Sequence, residues 1–208
     1  MPSIDDFKKA VFVGDSLTVG LKTAISSITS FATVGHTVWQ GKDKHHQSIV
    51  DAKPSIIIMS YGTNDAGYQT PDKFKKEFVK WINELKQALP GVQIFVNKIF
   101  PGDESKASGT GLTCIKNIPA HNEVIPQIIQ ETGATLLDCT TIPNLKTYYS
   151  NDGIHFNSNF NQLWYDEMQR QVTNSAGTGP VTIQIQKKLM PTELDGKCYK
   201  STSQKNTY

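Results

Sequence analysis

The sequence predicts an α/β fold, a parallel sheet covered by helices on both faces. Three observations lead there. Short apolar runs of strand length alternate along the chain with segments of helical period, in the order β-α-β-loop-β-α-β-α-β-loop-α. The longest apolar run, Ile56-Ile57-Ile58-Met59, suits a buried strand and falls far short of the roughly 20 residues that span a bilayer. And 208 residues fit one α/β domain, or one domain with an appendage, in which roughly 70% of the unfolded chain's surface can be buried without a disulfide or metal staple.

The elements follow in order. Ala10-Val11-Phe12-Val13 is the first strand, entered directly from the polar N-terminus, and residues 17–28 form the helix after it. Phe31-Ala32-Thr33-Val34 is a second, shorter strand. Residues 41–52 are polar and read as a loop with a short helix, carrying Asp43, His45 and His46 as solvated groups rather than metal ligands. Residues 55–60 are the clearest strand. Thr70-Pro71 then starts a helix, a capping hydroxyl before a proline at the first helical position. Phe74, Phe78, Ile82, Leu85 and Leu89 make its apolar stripe, with Lys75, Lys76, Lys80 and Glu84 off it. Pro90-Gly91 stops it, and residues 92–96 are the next strand. Residues 101–113 read as a Gly/Ser-rich loop. Residues 118–132 read as a helix that Pro119 and Pro126 kink or delay. Residues 134–137 are the fifth strand and 157–172 a last helix. Trp81 and Trp164 fall in helices and are assigned to the core. Cys139 is assigned to the core as well.

From about Asn174 the composition changes. Residues 174–180 read as a linker, and Val181, Ile183 and Ile185 alternate with polar neighbours as a half-buried strand would. The chain is therefore divided into a domain at 1–174 and an appendage at 175–208, able to dock, to pair with another chain and support a homo-oligomer or assembly, or to stay mobile.

Charge excludes more than it suggests. The net charge is +2, and the five lysines against Glu193 and Asp195 in residues 175–208 leave residues 1–174 at −1. Arg170 is the only arginine. Arginine is the usual bidentate reader of phosphate and guanine, so no nucleic-acid partner is expected. Three widely spaced cysteines make neither a disulfide framework nor a zinc pattern. No leader is visible between Met1 and the first strand. The expectation is a protein that stays inside the cell, leaves it without a cleaved leader, or has lost one, so its location is left open.

Three segments carry chemistry. Gly14-Asp15-Ser16-Leu17 lies where the first strand becomes the first helix, which gives Ser16 the positive end of a helix dipole. No Gly-Lys-Ser/Thr follows, so it is not a phosphate loop, and Thr18 stands where the α/β-hydrolase elbow requires a glycine. Tyr61-Gly62-Thr63-Asn64-Asp65 follows the third strand and offers the Asn64 amide. Asn151-Asp152-Gly153-Ile154-His155-Phe156 places an Asp and a His three residues apart in a tight loop. Each alone is more often a turn or a cap. All three follow strand ends, as does Gly35, and in an open parallel sheet ligands bind outside those ends. Nucleophile, base, orienting group and oxyanion donors are then all present.

With those residues the sequence resembles the SGNH/GDSL hydrolase superfamily. Gly14-Asp15-Ser16-Leu17 is similar to its first block, Gly62-Thr63-Asn64-Asp65 to its third, and Asp152-Gly153-Ile154-His155 to its last. The second-block glycine matches Gly35, with Gly41 as the other position available. The resemblance spans roughly residues 10 to 172. Val34-Gly35-His36, Tyr61-Gly62-Thr63-Asn64 and Ile94-Phe95-Val96-Asn97 also resemble the catalytic domain of peptidoglycan O-acetyltransferases and carbohydrate O-acetylesterases.

The resemblance implies a three-layer α/β/α sandwich with a five-stranded, flavodoxin-like sheet. It implies a serine esterase in which Ser16, His155 and Asp152 are catalytic and Ser16, Gly35 and Asn64 form the oxyanion hole, with no cofactor and no metal. Its substrate would be a small acyl ester, an O-acetylated glycan first among them. His36, beside Gly35, and Trp39, read as loop-borne, are candidate substrate contacts, and Tyr148 and Tyr149 are expected at the cleft edge. Two rivals stand beside this reading: an O-acetyltransferase acting on a glycan, and a glycan-binding or structural module of an assembled particle such as a phage tail.

Overall fold

A computed structural model describes residues 2–175. Five strands, β1 (Val11–Gly14), β2 (Thr29–Ala32), β3 (Ile56–Ser60), β4 (Gln93–Asn97) and β5 (Thr135–Leu137), form one all-parallel sheet in the order β2-β1-β3-β4-β5. This is the flavodoxin-like order, and its winding reverses between β1 and β3. The crevice at that switch point lies outside Gly14 and Ser60, which are partners in register.

Alternate residues of each strand point to opposite layers. Val11, Val13, Ile57, Met59, Ile94 and Val96 pack under α3 (Val38–Ala52), α5 (Pro71–Ala88) and α6 (Gly109–Thr132). Phe12, Ile56, Ile58, Phe95 and Leu137 pack under α1 (Ile4–Lys8), α2 (Ser16–Ala24) and α7 (Ser158–Asn174). Phe74, Phe78, Ile82 and Leu85 are buried along α5 as the spacing predicts, with Leu89 packed at the edge; Trp81, Trp164 and Cys139 are buried as well.

Several expectations need correction. Residues 41–52 are not a loop. Thr37 and Gln40 form a capping box that starts the 15-residue α3, held to the core by Val38, Gly41 and Ile49. His45 and His46 therefore sit on a helix, and Trp39 lies in its first turn rather than on a loop. The chain does not enter β1 directly, because Ser3 and Asp6 cap a short α1 that buries Phe7 against Phe12 and Tyr165. Strand β2 runs at 29–32, two residues before the expected position, and Val34 is exposed. α2 ends at Ala24 rather than at residue 28. α6 begins at Gly109, inside the expected loop, and continues through Pro119 and Pro126 because Ile118, Val124, Ile125 and Ile128 anchor it to the core. A short α4 (Asp65–Tyr68) precedes α5. The appendage expected at 175–208 lies outside the described residues apart from Ser175.

Candidate active site

Ser16 is the first residue of α2, and Asp15 is its N-cap, accepting a hydrogen bond from Leu17 N–H at 3.0 Å. The strand-to-helix turn is tight. A Cβ on Gly14 would stand 2.0 Å from Thr18 Oγ1 and 2.7 Å from the Ser60 carbonyl oxygen, so only glycine fits there. The N–H of a first helical residue has no intrahelical acceptor, which leaves the Ser16 amide available beside its own hydroxyl.

The loop between β5 and α7 comes back over this turn. Asp152 Oδ1 accepts from the N–H groups of Ile154 and His155, both at 2.9 Å, and its Oδ2 lies 2.6 Å from His155 Nδ1. His155 Nε2 lies 2.8 Å from Ser16 Oγ, across 139 positions of sequence. An ionised carboxylate can only accept, so Nδ1 carries the proton and Nε2 accepts from the Ser16 hydroxyl. Burial pushes Asp152 up, but its hydrogen bonds from the His155 ring and the two N–H groups outweigh that and hold it below the ordinary carboxylate range. Asp152 therefore stays ionised at neutral pH.

This loop is braced from below. Tyr149 bridges Phe156 across the loop with their rings stacked 4.6 Å apart, and Phe156 stacks on Phe160 at 3.8 Å. Tyr149 Oη accepts from Gly102 N–H at 2.9 Å, and Asp103 N–H donates to the Gly153 carbonyl at 2.8 Å. Gly153 has φ 73°, and a Cβ there would stand 2.3 Å from the Asp103 carbonyl oxygen. Tyr149 is buried and supports the loop instead of edging a cleft, while Tyr148 is half-buried and packs on Phe160.

Asn64, at the start of α4, closes the third side. Its Nδ2 donates to Asp15 Oδ2 at 3.3 Å and to the His36 carbonyl at 3.2 Å. One amide thus ties the residue before Ser16 to the residue after Gly35. Gly35 sits in the turn after β2 with φ 77°, exposed and with open space where a side chain would project. Gly41, the other position considered, lies within α3 with Tyr61 Oη packed where its Cβ would be. The His36 ring is half-buried, and its centroid is 6.4 Å from that of His45. Trp39 is exposed on α3.

Two buried carboxyl groups beneath the site were not expected from sequence as anything beyond motif letters. Asp15 is pushed up to about 7 by burial, against the opposing Leu17 N–H and Asn64 bonds. Asp65 is pushed up to about 7 by burial as well, although it accepts from Val38 N–H at 3.0 Å and from Gln69 Nε2. Asp65 thereby holds the first turn of α3. An acid among apolar strand ends is the sequence signal that could have marked both.

The sequence model of the GDSL-like lipase/acylhydrolase family matches residues 12–163. The chain belongs to that family. It is accordingly a carboxylic ester hydrolase. No curated protein sequence matches the chain significantly. Among solved structures, the lipase/acylhydrolase from Enterococcus faecalis superposes with a TM-score of 0.65 at 16% identity, covering 80% of this chain and 95% of that one. An acetyl esterase solved with acetate ion gives 0.63 at 18%, covering 81% and 98%. A carbohydrate esterase family 3 protein from Talaromyces cellulolyticus gives 0.63 at 19%, covering 82% and 99%. Among the described residues of this family member, no helix is long and apolar enough to cross a membrane.

Proposed function

We propose that this esterase hydrolyses small acyl esters, O-acetyl groups on a glycan foremost, with Ser16 as nucleophile, His155 as general base and acid, and Asp152 as the group that orients His155. The observation that carries the reading is the unbroken chain Asp152 Oδ2–His155–Ser16 Oγ, with links of 2.6 and 2.8 Å. Ser16 Oγ attacks the ester carbonyl carbon while its proton passes to His155 Nε2. The imidazolium, balanced by ionised Asp152, returns that proton to the departing alcohol oxygen, and a water activated by the same nitrogen then releases the acid.

The Ser16 and Gly35 N–H groups and the Asn64 amide are assigned to the tetrahedral oxyanion. Support comes from the position of Asn64 Nδ2, held between Asp15 Oδ2 and the His36 carbonyl, the chain neighbours of the other two donors; both of its N–H groups are engaged there, and the longer bond, 3.3 Å to Asp15, is the one exchanged for the oxyanion. The acetyl and glycan preferences draw on the acetyl esterase and carbohydrate esterase among the structural neighbours. Residues 1–174 are assigned to the hydrolase domain and 175–208 to an appendage.

The test is hydrolysis of p-nitrophenyl acetate by the wild type and by Ser16→Ala, both checked for folding by circular dichroism. The expected result is turnover by the wild type and a loss on the order of 10⁴–10⁶ in the variant. Equal rates for the two proteins would remove Ser16 from the reaction.

A further inference from the structure

A groove of about 370 Å³ opens beside the candidate oxyanion donor Gly35, between the start of α3 and the start of α5. Its size falls within the roughly 300–1,000 Å³ of small-molecule sites. Resting on the esterase reading above, we propose that this groove holds the sugar on the alcohol side of the ester, and that the glycan it takes is acidic.

The lining argues for a sugar rather than an acyl chain. Trp39 and Tyr68 both line it, and both are exposed, at 54% and 70%. Two exposed rings lining one groove offer flat apolar faces with polar tips, which suit the apolar face of a sugar ring. No aliphatic side chain lines the groove. The remaining side chains are polar: Thr37, Gln40, Gln69 and Lys73. Gln40 spends its Oε1 on the Thr37 N–H and hydroxyl and keeps its NH₂ group as a donor for a ligand oxygen. The Thr37 hydroxyl and the Gln69 NH₂ group already have protein partners, so the Gln40 NH₂ group and the Lys73 ammonium are the donors that an acyl tail would leave unpaired and sugar oxygens would match.

Charge selects the class of sugar. Lys73 is the only charged residue in the lining, no carboxylate faces it from the groove, and it makes no ion pair among the described residues. A carboxylate-bearing sugar gains from that cation, and a neutral one does not. Gly35 is part of the lining, so a ring seated in the groove sits next to the proposed oxyanion site, as the alcohol half of a bound ester must.

The experiment compares kcat/KM for O-acetylated oligogalacturonate, O-acetylated xylo-oligosaccharide and p-nitrophenyl acetate in the wild type and in Trp39→Ala, Tyr68→Ala and Lys73→Gln. The wild type should prefer the acidic oligosaccharide. Trp39→Ala and Tyr68→Ala should each lower the ratio of oligosaccharide to p-nitrophenyl acetate activity about tenfold. Lys73→Gln should lower the ratio of acidic to neutral oligosaccharide, with the difference closing in high salt. Unchanged ratios in all three variants overturn the groove assignment while leaving the esterase intact, and a preference for the neutral probe overturns the acidic class.

A protein that hydrolyses no ester would sink the esterase reading instead. The groove is then judged by binding. Trp81 and Trp164 are buried, so Trp39 is the solvent-exposed fluorophore. Unacetylated oligogalacturonate should shift its emission saturably in the Ser16→Ala protein, and a flat titration counts against the proposal.

Discussion

The two sides of the candidate site use the same side chain in opposite ways. On the outer side, Asp152 is half-exposed, accepts three hydrogen bonds and is held below the ordinary carboxylate range. On the inner side, Asp15 and Asp65 are buried, and burial pushes each up to about 7. The outer carboxylate keeps its charge where a developing imidazolium would need it. The inner pair spends its oxygens on holding parts in place, Asp15 on Asn64 and the start of α2, Asp65 on the start of α3. Environment, not residue type, divides the labour.

That contrast can be broken most sharply from the outer side. Asp152→Asn keeps the size of the side chain but removes the charge and favours the wrong imidazole tautomer, and turnover is expected to fall by about 10⁴ with the fold retained. Steady-state kinetics on p-nitrophenyl acetate with a circular dichroism control checks it. A fall of less than tenfold would mean that the short Asp152–His155 contact does not matter to the reaction.

Asn64→Ala comes next, since it removes one proposed oxyanion donor. Turnover should drop by about 10²–10³ with KM little changed. A change in KM alone would make Asn64 a binding group.

The inner pair has its effect on stability. A carboxyl whose folded value lies near 7, above its ordinary 3.8, binds its proton more tightly in the folded state. Its favourable contribution is complete below about pH 4 and is lost as pH rises through 7. The thermal midpoint should therefore fall between pH 5 and pH 8, by roughly 2–4 °C for each kcal/mol lost. Asp65→Asn can still accept from Val38 and Gln69 through Oδ1 and should flatten that fall. A midpoint that rises over the same range would show that the inner carboxyls are not proton-linked in this way.

The same contrast separates what was legible in the sequence from what was not. Ser16 and Asn64 could be found because each follows a strand end, and the strands announce themselves as apolar runs; Asp152 and His155 could be found by their spacing of three and by the family resemblance, since two short 3₁₀ turns separate them from β5. The stripe of α5 was readable for a similar reason, five apolar residues at helical spacing behind Thr70-Pro71. α3 was not, because only Val38, Gly41 and Ile49 among its 15 residues are buried, and its start depends on the Thr37–Gln40 box and on the distant Asp65 carboxylate. The run of α6 through Pro119 and Pro126 was hidden because packing against the sheet outweighs the local cost of proline. Tyr149 was misplaced because nearness to His155 in sequence says nothing about which layer a ring enters. The groove of Trp39, Tyr68 and Lys73 draws on three helices, and no spacing within one segment could reveal it.

The central claim is that His155 activates Ser16. The most direct test is labelling with diisopropyl fluorophosphate, followed by intact mass and peptide mapping. A single diisopropylphosphorylated serine, formed with loss of fluoride, is expected at Ser16, with labelling slowed at least a hundredfold in His155→Ala. A protein that takes no label, or takes it equally well in Ser16→Ala, would contradict the account.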